Sequence, residues 1–166
     1  MIQYDMRIVS LLFTLILSTG APPAQSDALS VRIGDTRVAF SADDVRALPQ
    51  RTVTVPEDGG TSRYEGPRLA DILVRAGATL GPGAAGGGLT LYVVARAPDG
   101  FRAVLSLAEI DPDYTDRDVI LALRRNDAPL LTDDGPFRLI VSGDRRRTRW
   151  VRQVAELTLL TAPDVK

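Results

Sequence analysis

The chain has 166 residues, of which 45% are hydrophobic and 25% charged, enough apolar material for one globular domain with a single core. It contains no histidine and no cysteine, so it cannot supply a thiolate nucleophile, a Ser-His-Asp triad, the usual zinc ligands or a histidine or cysteine axial ligand to haem. A formal net charge of -1 gives no global field to draw in nucleic acid or an anionic membrane, so any electrostatic function must come from local arrangement.

At the N-terminus, Arg7 precedes the apolar run "IVSLLFTLIL" and then the small, turn-prone "STGAPPAQSDA". The run falls well short of the ~20 residues needed to span a bilayer. The pattern is that of a secretory signal peptide. It predicts that residues 1–28 are removed, by cleavage at Ser26–Ala28 or after Ala24, and that residues 29–166 form a single exported, periplasmic domain. That domain would carry 19 basic and 19 acidic residues and no disulfide.

"LSVRIGDTRVAF" is two alternating runs around Gly34-Asp35, the pattern of a β-hairpin. In "SADDVRALP", Ser41 and Asp44 form a capping box and Pro49 stops the helix. "RTVTV" predicts a strand, "PEDGGTS" a turn, and "RYEG" the returning strand. "GPRLADILVRAGA" predicts the clearest helix, with Pro67 in its first turn, Leu69, Ile72, Leu73 and Ala76 on one stripe, and Gly77 at its end. The Gly-rich stretch Thr79 to Gly88 predicts a loop.

"LTLYVVARA" and "FRAVLS" predict a hairpin closed by the turn "APDG". In "SLAEI", Ser106 and Glu109 repeat the capping-box pattern of a short helix. "DVILALRRN" and "FRLIVS" predict strands separated by "DAPLLTDDGP". The cluster "GDRRRTRWV" follows, and "VAELTLL" is the last strand. Several strands, three short helices and no βαβ regularity predict an α+β fold with a mixed sheet.

Five segments in register go further: the aromatic-x-G-x-x-L helix start in "YEGPRL", the "DGF" turn before "SLAEI", the "NDAPL" loop, the "GPFRLIV" strand, and an arginine beside Trp150 before the final strand. Over Leu29 to Leu160 they resemble the oxidoreductase molybdopterin-binding domain, the fold of sulfite oxidase and its bacterial relatives. Enzymes of that fold hold molybdenum through a cysteine in the segment that here reads "RTVTVPEDGGTSRYEG". With no cysteine in the chain, the resemblance implies a domain able to hold a pterin but without the metal's protein ligand. The pattern is similar to that of small exported members, the PruR-type proteins, which bind reduced pterins and regulate a membrane-bound enzyme that makes and degrades cyclic di-GMP. The resemblance thus implies a non-enzymatic sensor with a reduced pterin as ligand and the periplasmic domain of a membrane-bound signalling protein as partner. The alternatives are a molybdopterin-dependent oxidoreductase holding its cofactor without a cysteine, and a scaffold that uses its arginine loop for protein contact. Export, zero net charge and few aromatic residues exclude nucleic acid as a partner.

Candidate ligand-binding residues follow. Trp150, the only tryptophan, reads either as a core anchor or as a flat wall on which a fused ring stacks. In an extended segment, Arg147 and Arg149 point to one side and Trp150 and Arg152 to the other. Arg149 and Arg152 flank the indole, and Arg145 and Arg147 belong to the loop near the cofactor tail. Asp144 makes the turn or accepts the amino-pyrimidine edge of a pterin. Phe101 and Ser106 sit in the segment that approaches the cofactor in the family, and Arg96 is an unusual charge in an apolar strand. Metal ligands and catalytic residues are not expected.

Overall fold

The computed structural model describes residues 28–57, 59–84 and 89–164. Residues 1–27 of the segment expected to be a signal peptide, and part of the Gly-rich loop, lie outside these residues, whereas Ala28 opens the first strand. The first hairpin pairs β1 (Ala28–Ile33) with β2 (Thr36–Ser41) through Gly34, whose φ of 55° is a conformation that side-chain-bearing residues rarely adopt. The five-residue helix α1 (Ala42–Arg46) carries the expected capping box between Ser41 and Asp44.

The strands β3 (Gln50–Glu57) and β4 (Gly60–Pro67) form a long antiparallel hairpin. Helix α2 (Leu69–Arg75) then buries Leu69, Ile72 and Leu73 and closes on Gly77. Pro67 ends β4 rather than opening the helix, and Arg68 is the N-cap. The close approach of β4 to the next layer explains the preceding glycine: a Cβ on Gly66 would collide with the Leu121 carbonyl.

A second hairpin joins β5 (Leu91–Arg96) and β6 (Arg102–Ser106). The expected helix after it is a single 3₁₀ turn, Leu107–Glu109, although Ser106 and Glu109 make the capping box. "DVILALRRN" divides at Leu123, whose N–H bonds to the Glu65 carbonyl. Its first part is β7 (Val119–Ala122) and its second β8 (Arg124–Arg125), which pairs with β4 and with β9 (Ala128–Pro129). The last strands are β10 (Arg138–Val141), paired antiparallel with β7, and β11 (Glu156–Thr161).

The fold is α+β with a mixed five-stranded sheet of order β2-β1-β11-β5-β6, in which β1 and β11 run parallel and the other pairs antiparallel. A four-stranded sheet of order β3-β4-β8-β9 and the ribbon β10-β7 complete it. Every residue of β7 is buried, as expected of a strand covered on both faces, which reads as a continuous apolar run. The core combines the inner face of the large sheet (Leu29, Val31, Val93, Leu105, Leu157) with the α2 stripe and the ribbon residues Ile120, Leu139 and Ile140.

Candidate functional site

The arginine-rich loop leaves β10 through Gly143, at φ 79°, and forms a 3₁₀ turn over Arg147–Arg149. The chain then returns along β10: the Leu139 N–H bonds to the Val151 carbonyl and the Val154 N–H to the Phe137 carbonyl, both at 2.8 Å. Trp150 therefore stands where the turn meets the returning segment, with its N–H on the Arg147 carbonyl at 3.0 Å.

The turn reverses the sorting that an extended segment predicts. A 3₁₀ helix repeats every three residues, so Arg147 comes to the same side as Trp150, its guanidinium carbon 5.7 Å from the indole centroid. Arg149 is carried away. It makes a forked pair of 2.8 Å bonds to Asp144 and a 3.0 Å bond to Glu109, joining the loop to the 3₁₀ turn after β6. These hydrogen bonds hold the Asp144 carboxyl below its ordinary range. Burial pushes Glu109 upward, but its bonds from Arg149 and the Ser106 backbone outweigh that and leave it lowered too. Both Asp144 oxygens accept from Arg149, and the residue also lines the smaller of the two clefts beside Trp150.

Trp150 is only 5% exposed, yet it borders two clefts. The larger, about 580 Å³, lies between the β5–β6 turn (Ala97, Asp99, Phe101), Asp133, and Arg138, Arg147, Trp150 and Arg152. The smaller, about 330 Å³, lies between the end of β3 (Thr54 to Pro56) and the loop residues Gly143, Asp144 and Arg145, with Arg147 and Trp150 again in its wall. Arg147 separates the two, held by the Pro56 carbonyl and by Glu57 at 3.7 Å.

Behind the indole, Tyr64 meets it edge-on with centroids 6.2 Å apart and donates to Glu57 at 2.9 Å. Burial raises the Tyr64 pKa, so the phenol stays protonated as a donor. Burial pushes Glu57 upward, but bonds from Ser62 and Tyr64 and the charges of Arg125 and Arg147 more than offset it, leaving the carboxyl below its ordinary value. Arg138 reaches Asp134 at 2.7 Å and lies 5.5 Å over the Tyr64 ring.

Two donors on residues lining the larger cleft are buried without a partner, Trp150 Nε1 and Arg138 Nε. The indole N–H adds to the lowering of the Asp144 pKa, but it does not reach hydrogen-bonding geometry. Buried polar groups are nearly always paired, which sets these two donors apart from the rest of the site.

Of the sequence-derived candidates, the structure gathers Trp150, Arg147, Arg152 and Phe101 around the larger cleft and Asp144 and Arg145 around the smaller. Arg149 is spent on its two carboxylates. Ser106 caps the 3₁₀ turn through Glu109 and lines neither cleft. Arg96 is turned away: strand alternation sends it to the outer face, while its neighbour Ala97 lines the cleft. Sequence reading missed Arg138, Asp133, Tyr64 and Glu57. Arg138 carries the signal that singled out Arg96, an arginine in an apolar strand; Tyr64 read as an ordinary strand residue, and Glu57 read as part of the turn "PEDGGTS", whereas it is the last residue of β3.

The molecule is a sheet-built α+β domain with a tryptophan-walled cleft between loops. More specifically, the family model of the oxidoreductase molybdopterin-binding domain matches residues 55–165, and the chain belongs to that family. Among curated proteins, none matches it.

The family's cofactor can be compared with these residues in two parts. The pterin part fits, because the larger cleft lies within the ~300 to 1,000 Å³ of ordinary ligand pockets and is lined by the indole and by the guanidinium groups of Arg138, Arg147 and Arg152. The metal part does not. With no cysteine in the chain, thiolate ligation is not possible, and the segment where it would arise holds Glu57, already engaged by Ser62, Tyr64 and Arg125.

Proposed function

We propose that this protein is an exported, periplasmic pterin-binding regulator that reports ligand occupancy to a membrane-bound enzyme of cyclic di-GMP turnover, in the manner of the PruR-type proteins, and that it is not itself an enzyme. The observation that carries the pterin assignment is the position of Trp150, which forms the common wall of two clefts in a molybdopterin-binding domain that has no cysteine. Stacking of a heterocycle on an aromatic side chain contributes about 1–3 kcal/mol. Arg147 now covers the indole, so a flat ring reaches it by displacing that guanidinium or by lying beneath it. Arg138 and Arg152 are placed to donate to ring carbonyls, and Asp99 and Asp133 to accept from the amino-pyrimidine edge. The apolar run ahead of the domain supports export.

Titration of the purified protein with a tetrahydropterin, followed by the fluorescence of its only tryptophan, tests this reading. Saturable quenching and a raised melting temperature are expected, both lost in Trp150→Phe as judged by the melting shift. No response from any reduced or oxidised pterin overturns it. Stoichiometric molybdenum in protein isolated from its native cells would favour instead an oxidoreductase that holds its cofactor without a cysteine.

A further inference from the structure

The five-stranded sheet has one face in the core and, among the described residues, no covering layer on the other. The register places four arginines on the outer face, Arg32, Arg37, Arg96 and Arg102, against one carboxylate, Glu156. A solvent-facing sheet ordinarily mixes charges of both signs. Here each hairpin sets an arginine directly opposite another: Arg32 opposite Arg37, and Arg96 opposite Arg102. Like charges in such cross-strand positions are destabilising. Glu156 relieves the first pair, at 3.8 Å from Arg32 and 3.6 Å from Arg37, and stands directly opposite Arg96 in the register without forming an ion pair with it. Among the described residues, neither arginine of the second pair has an ion-pair partner. Beside them Val94 and Val104 also face each other, and Val104 is 55% exposed.

We propose that this face docks a protein partner that presents carboxylates to Arg96 and Arg102 and an apolar strip to Val94 and Val104. The repulsion that the fold tolerates becomes attraction when carboxylates arrive, and the planar guanidinium fork matches a carboxylate in two bonds. An apolar strip flanked by charge on a sheet face has the core-and-rim anatomy of a protein interface. A lipid surface is instead bound by large apolar groups that enter the acyl boundary, which short valine side chains flanked by arginines do not supply. The proposal goes beyond the cleft and does not require a pterin in it.

The test places a photo-cross-linking residue at Val104 of the full chain in its native cells. The expected adduct joins a protein whose linked segment carries aspartate or glutamate. Its yield should fall about tenfold or more in Arg96→Glu with Arg102→Glu and recover when the partner's carboxylates are replaced by lysine. Arg145→Glu with Arg146→Glu should leave it intact. No adduct, an adduct with lipid, with a second copy or with residues 1–27 of this chain, or one indifferent to the charge reversal, overturns the proposal. Arg102→Gln, which removes the repulsion without adding charge, should melt no lower than the parent and still reduce the yield. Unchanged pterin-induced quenching in both variants separates failure of the docking face from failure of the cleft.

Discussion

Arg147 and Arg149 stand two residues apart in one 3₁₀ turn and have opposite fates. Arg149 is a fastener, with a forked bond to Asp144 and a third bond to Glu109 that tie the loop to the large sheet's edge. Arg147 lies over the indole, its side chain 37% exposed, between two clefts. The difference shows that a run of like charge is sorted by backbone period: three residues per turn put Arg147 with Trp150 and leave Arg149 to the acids behind. One arginine fastens the loop behind the wall, and the other lies across its face.

The contrast can be broken most severely at the residue both arginines serve. Trp150→Ala should lower stability by about 3–5 kcal/mol, the usual cost of truncating a buried tryptophan, measured by urea unfolding. Arg149→Leu should cost about 2 kcal/mol, since it leaves two carboxylates without their cation, discounted because the cluster is partly exposed. A loss like that of an ordinary surface pair would show that the fastener is not one.

Acid should reproduce part of the Arg149 effect. Asp144, Glu109 and Glu57 have carboxyls depressed in the folded state. Their stabilisation is fully present above the ordinary carboxylate pKa, ~4, and is lost as pH falls through the lower folded values. Melting temperatures should thus be level from neutral pH to about pH 5 and then decline, with a weaker decline in Arg149→Leu. The smallest effect belongs to Arg147→Ala. Its stability should change by less than about 1 kcal/mol, while the tryptophan emission shifts and the pterin response changes in strength. Equal destabilisation by the two arginine replacements would erase the distinction between fastener and cover.

Much of the architecture was legible from local signals. The Gly34 hairpin, the Ser41 capping box, the α2 stripe and the Asp99-Gly100 turn each depend on contacts within a few residues, and each is where its pattern predicts. The misplacements share a cause. "SLAEI" has a helix's cap but only one 3₁₀ turn, because its chain is drawn at once into the Asp111 turn, whose carboxylate binds the Gly81 and Asp113 N–H groups. "DVILALRRN" divides at Leu123 because the main-chain bond from its N–H to the Glu65 carbonyl redirects it. Arg96 and Arg138 have the same local signature, a guanidinium in an apolar strand, and only the pairing of their strands sends one to the open sheet face and the other to the cleft.

The sequence by itself determined the α+β class, the family pattern, the absence of any thiolate or imidazole, and the prominence of Trp150, because these reside in composition and short-range order. The tertiary structure decided which arginine covers the indole, which is consumed by Asp144, and that Glu57 and Tyr64 stand behind the wall. Those assignments rest on contacts between residues distant along the chain, such as Arg147 with Pro56 and Arg149 with Glu109. No local propensity encodes such contacts; they exist only once burial of the shared core has brought the segments together.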